Sequence, residues 1–65
     1  MIEIIKSKPY SDHPNDRPLT VVLAKNYKGE FVTWIHNSKD GGFFWGHYFK
    51  DDLAAATRSF EKRPD

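Results

Sequence analysis

The run from Phe43 to Phe49 constrains the fold more than any other stretch of this chain, because five of its seven residues are aromatic. A helix would project such rings in every direction around its axis and could not bury them all. A strand sends alternate side chains to opposite faces of a sheet. The run therefore predicts a strand that is apolar on both faces, in a chain of 65 residues that has few other elements to cover them.

The length and composition narrow the class of protein. A chain of 65 residues forms one domain with one small core, here taken as residues 1–65. It has no cysteine, so it has neither disulfides nor thiolate metal sites. No stretch approaches the roughly 18 apolar residues of a membrane span, and residues 1–6 are too short and too charged for a signal peptide. We therefore expect a cytoplasmic protein that does not enter a membrane.

The charge is nearly balanced, with ten Lys and Arg against nine Asp and Glu, and the two signs are interleaved along the chain. Proteins that bind duplex DNA usually carry a basic face or have a high pI. The charge balance therefore argues weakly against duplex DNA and is compatible with a protein partner.

The pattern along the chain predicts an α+β fold. A short N-terminal strand precedes a three-stranded antiparallel meander, and one C-terminal helix packs on the sheet. β-Branched and aromatic runs predict strands at 2–6, 20–25, 30–36 and 43–49, and the helix spans 51–62. Asp51 is its expected N-cap, and Leu53, Ala56 and Phe60 form its apolar face. The segment 9–18 contains three prolines and predicts an irregular loop that is mobile or functional.

A pairing register follows if four residues loop out at each turn of the meander. It places Trp34 opposite Trp45, Ile35 opposite Phe44, Phe31 opposite Tyr48, Ala24 opposite Phe31 and Leu23 opposite Val32. One face then collects Val22, Ala24, Phe31, Thr33, Ile35, Phe44, Gly46 and Tyr48. The other collects Val21, Leu23, Val32, Trp34, His36, Phe43, Trp45 and His47. Because a glycine lets a helix approach closely, we expect the helix on the face that contains Gly46.

The second face, with Trp34 and Trp45 at its centre, is then left to the N-terminal segment or to a partner. Clustered exposed aromatics mark binding sites. The same pair could instead stabilise the hairpin, by about 0.5–1.5 kcal/mol beyond burial, and the two roles are compatible. The predicted binding residues are Trp34, His36, Phe43, Trp45 and His47 on this face, with Lys25, Lys28 and Lys39 at the hairpin ends.

The polar residues predict neither a metal site nor a catalytic site. His36 and His47 share a face in this register but lie two strand pairs apart, too far for one metal ion with ligands at about 2 Å. Asp12, His13 and Asp16 are close enough in sequence to chelate a cation, but a proline-flanked surface loop is the better explanation for them. The chain has no Ser-His-Asp arrangement, phosphate-binding glycine loop or HExxH motif. We expect no cofactor, no metal and no enzymatic activity.

The stretch from Gly29 to Phe60 resembles the plant ethylene-response-factor type of DNA-binding domain and, more loosely, the arm-binding domain of tyrosine integrases. The resemblance rests on residues 29–32, 45–49 and 54–56, and it implies a three-stranded sheet followed by a helix. Those families place arginines and tryptophans on the sheet face that enters the major groove. Here the equivalent strand, residues 33–37, has no arginine, so only the architecture is carried over. In style the chain also resembles small accessory proteins of bacteria and their phages.

Two functions are compatible with this pattern. The first is a non-enzymatic module that binds a protein, either another chain or a second copy of itself, through the Trp34 and Trp45 face. The second is a nucleic-acid-binding domain in which sheet aromatics stack on unpaired bases. In the second case Lys25, Lys28 and Lys39, with Arg17 in the loop, would meet phosphates.

Overall fold

The fold is a four-stranded antiparallel sheet with one helix on one of its faces, as described by a computed structural model for residues 2–63. The strands follow the chain in the order β1-β2-β3-β4. Their bounds, with that of the helix, are β1 Glu3–Pro9, β2 Leu19–Lys25, β3 Phe31–Asn37, β4 Gly42–Tyr48 and α1 Leu53–Lys62. The predicted fold class is confirmed. The N-terminal strand β1 pairs with β2 and extends the three-stranded meander to a sheet of four strands.

The segment between β1 and β2 is shorter and more ordered than the predicted loop. Pro9 belongs to β1, and a 3₁₀ turn spans Pro14–Asp16. His13 caps this turn, since its Nδ1 accepts a hydrogen bond from the backbone N–H of Asn15 at 3.1 Å. The Ser11 hydroxyl donates a 2.6 Å hydrogen bond to Asp16 Oδ2, which links two parts of the loop. Two of the three groups considered as cation ligands, His13 and Asp16, are thus engaged in local hydrogen bonds.

The helix begins two residues later than predicted. Its N-cap is Asp52 and not Asp51, because Asp52 Oδ1 accepts the backbone N–H of Ala55 at 2.9 Å. Ala56 and Phe60 are buried against the sheet, whereas Leu53 is exposed. The predicted apolar face was therefore wrong at Leu53.

The core lies between this helix and one face of the sheet. It contains Val21, Leu23, Ile35, Ala56 and Phe60, and is bordered by Tyr10, Leu19, Phe31, Phe44 and Phe49. Lys8 of β1 closes one side, with its Nζ 5.0 Å from the centre of the Phe60 ring and 3.2 Å from the carbonyl oxygen of Glu61. The N-terminal strand thereby contacts the last turn of the helix.

The predicted register of β2 was wrong by one residue. Ala24 pairs with Val32 and Leu23 with Thr33, so five residues loop out at the β2–β3 turn instead of four. Asn26 organises this wider turn, since its Oδ1 accepts the backbone N–H groups of both Lys28 and Glu30. A shift of one residue exchanges the two faces of a strand. Consequently the β2 residues under the helix are Val21 and Leu23, and Val22 and Ala24 lie on the opposite face.

The predicted register of β4 was correct only near its turn. Ile35 pairs with Phe44 as predicted, but the register then shifts, so that Thr33 pairs with His47 and Val32 with Tyr48. At this bulge Trp45 and Gly46 together lie opposite Trp34, so Trp45 does not form the predicted one-to-one pair with Trp34. The predicted pair of Tyr48 with Phe31 was also wrong. The β4 residues after the bulge therefore lie on the opposite face from the one predicted.

The packing makes Phe60 the principal anchor of the helix. Truncation of Phe60 to alanine should lower the free energy of unfolding by about 3–5 kcal/mol, the usual cost for a buried phenylalanine. Leu53→Ala on the same helix is the matched control, and we expect it to cost less than about 1 kcal/mol because Leu53 is exposed. Chemical denaturation of both variants measures the difference. Equal losses would mean that the helix does not dock through Phe60.

Candidate binding surface

The sheet face opposite the helix, here called the open face, has an apolar centre without a helix above it. Val22, Ala24, Val32 and Trp34 form a second buried cluster on this side. Within residues 2–63 the one α-helix packs on the other face. Side chains of the sheet itself must therefore exclude water from this centre.

The indole of Trp34 covers the centre and is only 8% exposed. It can lie against the backbone of β4 because its neighbour across the sheet is Gly46. A Cβ atom built at Gly46 would be 2.6 Å from Trp34 Nε1 and 2.8 Å from its Cδ1, closer than real atoms approach. Gly46 was predicted to admit the helix. That prediction was wrong about the face, and the close approach at this glycine is made by a tryptophan.

Aromatic rings continue from Trp34 along the open face in what we call the aromatic row. Phe43 lies 5.0 Å from the Trp34 ring and 4.6 Å from the His36 ring, centre to centre. Tyr48 meets Trp34 edge-on at 6.1 Å. Tyr48 is 60% exposed and Phe43 is 38% exposed. The row therefore has a buried middle and two accessible ends.

Trp45 lies apart from this row, at the bulge on the outer strand β4. Its φ is 54°, a left-handed conformation that side chains other than glycine rarely adopt. It is 64% exposed and packs edge-on against Phe44, with 4.9 Å between ring centres. An exposed tryptophan thus occupies a position where the backbone conformation favours glycine, and such outliers cluster at functional sites.

The described strand positions of the open face carry no formal charge. Pairing and burial assign to it Ile4, Ser7, Pro9, Thr20, Val22, Ala24, Val32, Trp34, His36, Phe43, Gly46 and Tyr48. None of these strand positions is Lys, Arg, Asp or Glu. Ile4 adds an exposed apolar side chain to this face on β1, the edge strand opposite β4.

The predicted binding residues are only partly brought together. Trp34, His36 and Phe43 share the open face as predicted, whereas Trp45 packs against Phe44, which borders the core on the helix side. His47 pairs with Thr33 on the helix side, so the prediction that His36 and His47 share a face was wrong.

The three predicted lysines do not gather beside these aromatics. Lys25 is directed to the helix side, with its Nζ 5.8 Å from the centre of the Phe31 ring. Lys28 lies in the β2–β3 turn and Lys39 in the β3–β4 turn. Because these turns are at opposite ends of β3, the two lysines cannot form one basic patch.

Arg63 was missed as a structural and candidate functional residue. It directly follows the helix, where an exposed cation would be expected near the negative end of the helix dipole, but its side chain is only 7% exposed. Its Nη1 donates to the carbonyl oxygen of Thr33 at 3.1 Å and to Thr33 Oγ1 at 3.2 Å. The signal available in the sequence was Thr33 itself, a hydroxyl in the middle of an apolar strand, which needs a partner where it is buried.

The described part of the chain forms no group of three or more His, Cys, Asp and Glu side chains that could hold a metal ion. Among residues 2–63, no helix has the length and apolar character needed to cross a membrane. Comparison of the chain with protein-family models, with curated proteins and with solved structures gave no match.

The contact between Trp34 and Gly46 gives a stability prediction. Gly46→Ala should lower the free energy of unfolding by about 1–3 kcal/mol, because the added methyl group displaces a rigid indole in a packed cluster. Gly42→Ala in the same strand is the control, since its Cβ would meet only the exposed carboxylate of Asp40 at 3.1 Å, and this side chain need shift by only a few tenths of an ångström. Denaturation followed by tryptophan fluorescence compares the two. If Gly46→Ala were as stable as Gly42→Ala, the indole would not rest on Gly46.

The left-handed conformation of Trp45 gives a second prediction. In an ordinary strand, glycine is less stable than alanine by roughly 0.5–1 kcal/mol. At Trp45 the order should reverse, with Trp45→Gly more stable than Trp45→Ala by about 1 kcal/mol, since a Cβ is costly at positive φ. Thermal and chemical denaturation of the two variants measure the order directly, and a more stable alanine variant would contradict the bulge geometry.

Proposed function

We propose that this protein is a non-enzymatic binding module that takes an uncharged protein surface on its open face, and that this surface is the open face of a second copy. The observation that carries the proposal is the aromatic row, which exposes Tyr48 and Phe43 beside a buried apolar centre on a face without formal charge. Recognition uses the exposed side chains of the aromatic row.

The absence of charge from the open-face strand positions favours a protein over a nucleic acid. Nucleic-acid binding draws most of its affinity from lysines and arginines that neutralise phosphates. Of the three predicted lysines, Lys25 faces the helix side, and Lys28 and Lys39 lie in the turns beyond the strand ends. Apolar contact with another polypeptide needs no such charges.

A second copy is a suitable occupant because of symmetry. In an isologous dimer the same patch meets itself, so a charged patch would bring like charges together. The open face avoids this repulsion, and the net charge of the whole chain is only +1. Two sheets then pack face to face at about 10 Å, as in other sheet sandwiches.

The size of the face indicates a weak dimer. Four strands at about 4.8 Å and seven residues at about 3.3 Å give a face of roughly 440 Å² in each copy. Two such faces bury less than the standard interface of about 1,600 Å². We therefore expect reversible association in the micromolar to millimolar range and not an obligate dimer.

Sedimentation of the protein from about 10 μM to about 1 mM tests the proposal across the range expected for a small interface. Tyr48→Ser should weaken association by about tenfold or more, because it removes an exposed aromatic contact. Tyr27→Ser is the matched control, since Tyr27 is also exposed but lies in the β2–β3 turn. A protein that stays monomeric over the whole range would overturn self-association.

Salt dependence and oligonucleotide titration separate the nucleic-acid alternative. Dimerisation through an uncharged face should change by less than about threefold between low and physiological salt, since few counterions are released. If single-stranded oligonucleotides bind instead, Lys28→Ala and Lys39→Ala should each reduce the salt slope by about one unit. That outcome would replace the protein partner with a nucleic acid.

A further inference from the structure

A groove of about 360 Å³ lies between the end of β4 and one side of α1, on the helix side of the sheet. Its volume is at the lower end of the range of about 300–1,000 Å³ for small-molecule sites. Four of its lining residues are cationic or can become so, namely His47, Arg58, Lys62 and Arg63. Ser59 adds a hydroxyl, and Phe49 and Ala55 form an apolar wall. None of the seven lining residues is an Asp or a Glu.

Arg63 fixes the inner end of this groove. A guanidinium that is 93% buried is costly unless it meets hydrogen-bond acceptors and opposite charge. Thr33 supplies two acceptors, and both are neutral. Thr33 is held in turn by a 3.1 Å hydrogen bond between its Oγ1 and the Ser59 hydroxyl. The guanidinium therefore has a fixed orientation and a positive charge that these acceptors leave uncompensated.

The charges favour an anion despite the position at the end of the helix. The helix C-terminus contributes the equivalent of about half a negative charge. Two of its carbonyl groups, those of Ser59 and Phe60, are already bonded by the backbone N–H of Arg63. Arg58, Lys62 and Arg63 contribute three permanent positive charges. Among the described residues that line the groove, positive charge therefore outweighs the contribution of the helix terminus.

A phosphate monoester matches this charge better than other small anions. It carries about −1.5 to −2 at neutral pH and presents three strong acceptor oxygens. Arginine binds such a group through two parallel hydrogen bonds. A carboxylate or a phosphodiester carries only one negative charge and leaves more of the positive potential unpaired. The apolar wall of Phe49 and Ala55 accommodates a small organic body attached to the phosphate.

We propose that this groove binds small-molecule phosphate monoesters, with the phosphate held by Arg58, Lys62 and Arg63 and the organic part against Phe49. The groove and the open face are on opposite sides of the sheet, so the two sites are separate.

Nuclear magnetic resonance titration of the full chain with phenyl phosphate tests the groove. The backbone amides of His47, Ala55, Ser59 and Arg63 should shift together and saturate. Arg58→Gln and Lys62→Gln, both at exposed positions, should each weaken binding by at least about fivefold, as expected for the loss of a charge-assisted contact. Lys39→Gln removes the same charge in the distant β3–β4 turn, and its effect should stay below about twofold.

Ligand analogues decide the chemical class. Benzoate and methyl phenyl phosphate, which carry one negative charge, should bind at least about fivefold more weakly than phenyl phosphate at the same ionic strength. Equal binding of these three compounds would overturn the assignment of a phosphate monoester. Equal effects of all three charge changes, or shifts that do not saturate, would reduce the groove to general electrostatics and overturn the site.

Macromolecular phosphate is distinguished by the same titration. An oligonucleotide that binds equally well with and without a 5′-phosphate would overturn the small-molecule proposal in favour of backbone contacts. Tyr48→Ser should leave phenyl phosphate binding unchanged, because Tyr48 lies on the open face. The outcome for the groove is therefore independent of whether the open face self-associates.

Discussion

The contact between the Trp34 indole and the backbone at Gly46 allows one helix to serve a sheet that is apolar on both sides. The helix buries one face, and on the other face a single large side chain covers the small residues Val22, Ala24 and Val32. This arrangement requires a glycine beneath the ring, because any Cβ would occupy the space of the indole. In a chain of 65 residues, this indole takes the place of a second covering helix.

The bulge at Trp45 determines which residues face which side of the sheet. One extra residue in β4 exchanges the faces of the residues that follow it in the strand. It thereby carries Gly46 and Tyr48 to the open face and His47 to the helix side. The bulge also interrupts a regular outer strand, which limits edge-to-edge pairing with other sheets. The bulge thus brings Tyr48 into the aromatic row on one face and His47 into the lining of the groove on the other.

The two sides of the sheet present different chemistry to a partner. The open face is uncharged and aromatic, whereas the groove beside the helix is lined by cations around a buried arginine. The average composition hides this division, since positive and negative residues are nearly equal in number. Separation of the two kinds of surface by one sheet is what makes a protein partner on one side compatible with an anionic ligand on the other.

The sequence by itself determined the fold class, the approximate positions of the strands, and the docking of the helix through Ala56 and Phe60. These follow from alternation, turn residues and helical spacing, which are local properties. Tertiary structure decided the register, because the hydrogen bonds of Asn26 widened one turn and the bulge at Trp45 shifted another strand. Both faces are apolar, so hydrophobic pattern could not choose between registers that differ by one residue. For the same reason the position of Gly46 under Trp34, the isolation of Trp45 and the burial of Arg63 depend on contacts between residues distant in the chain.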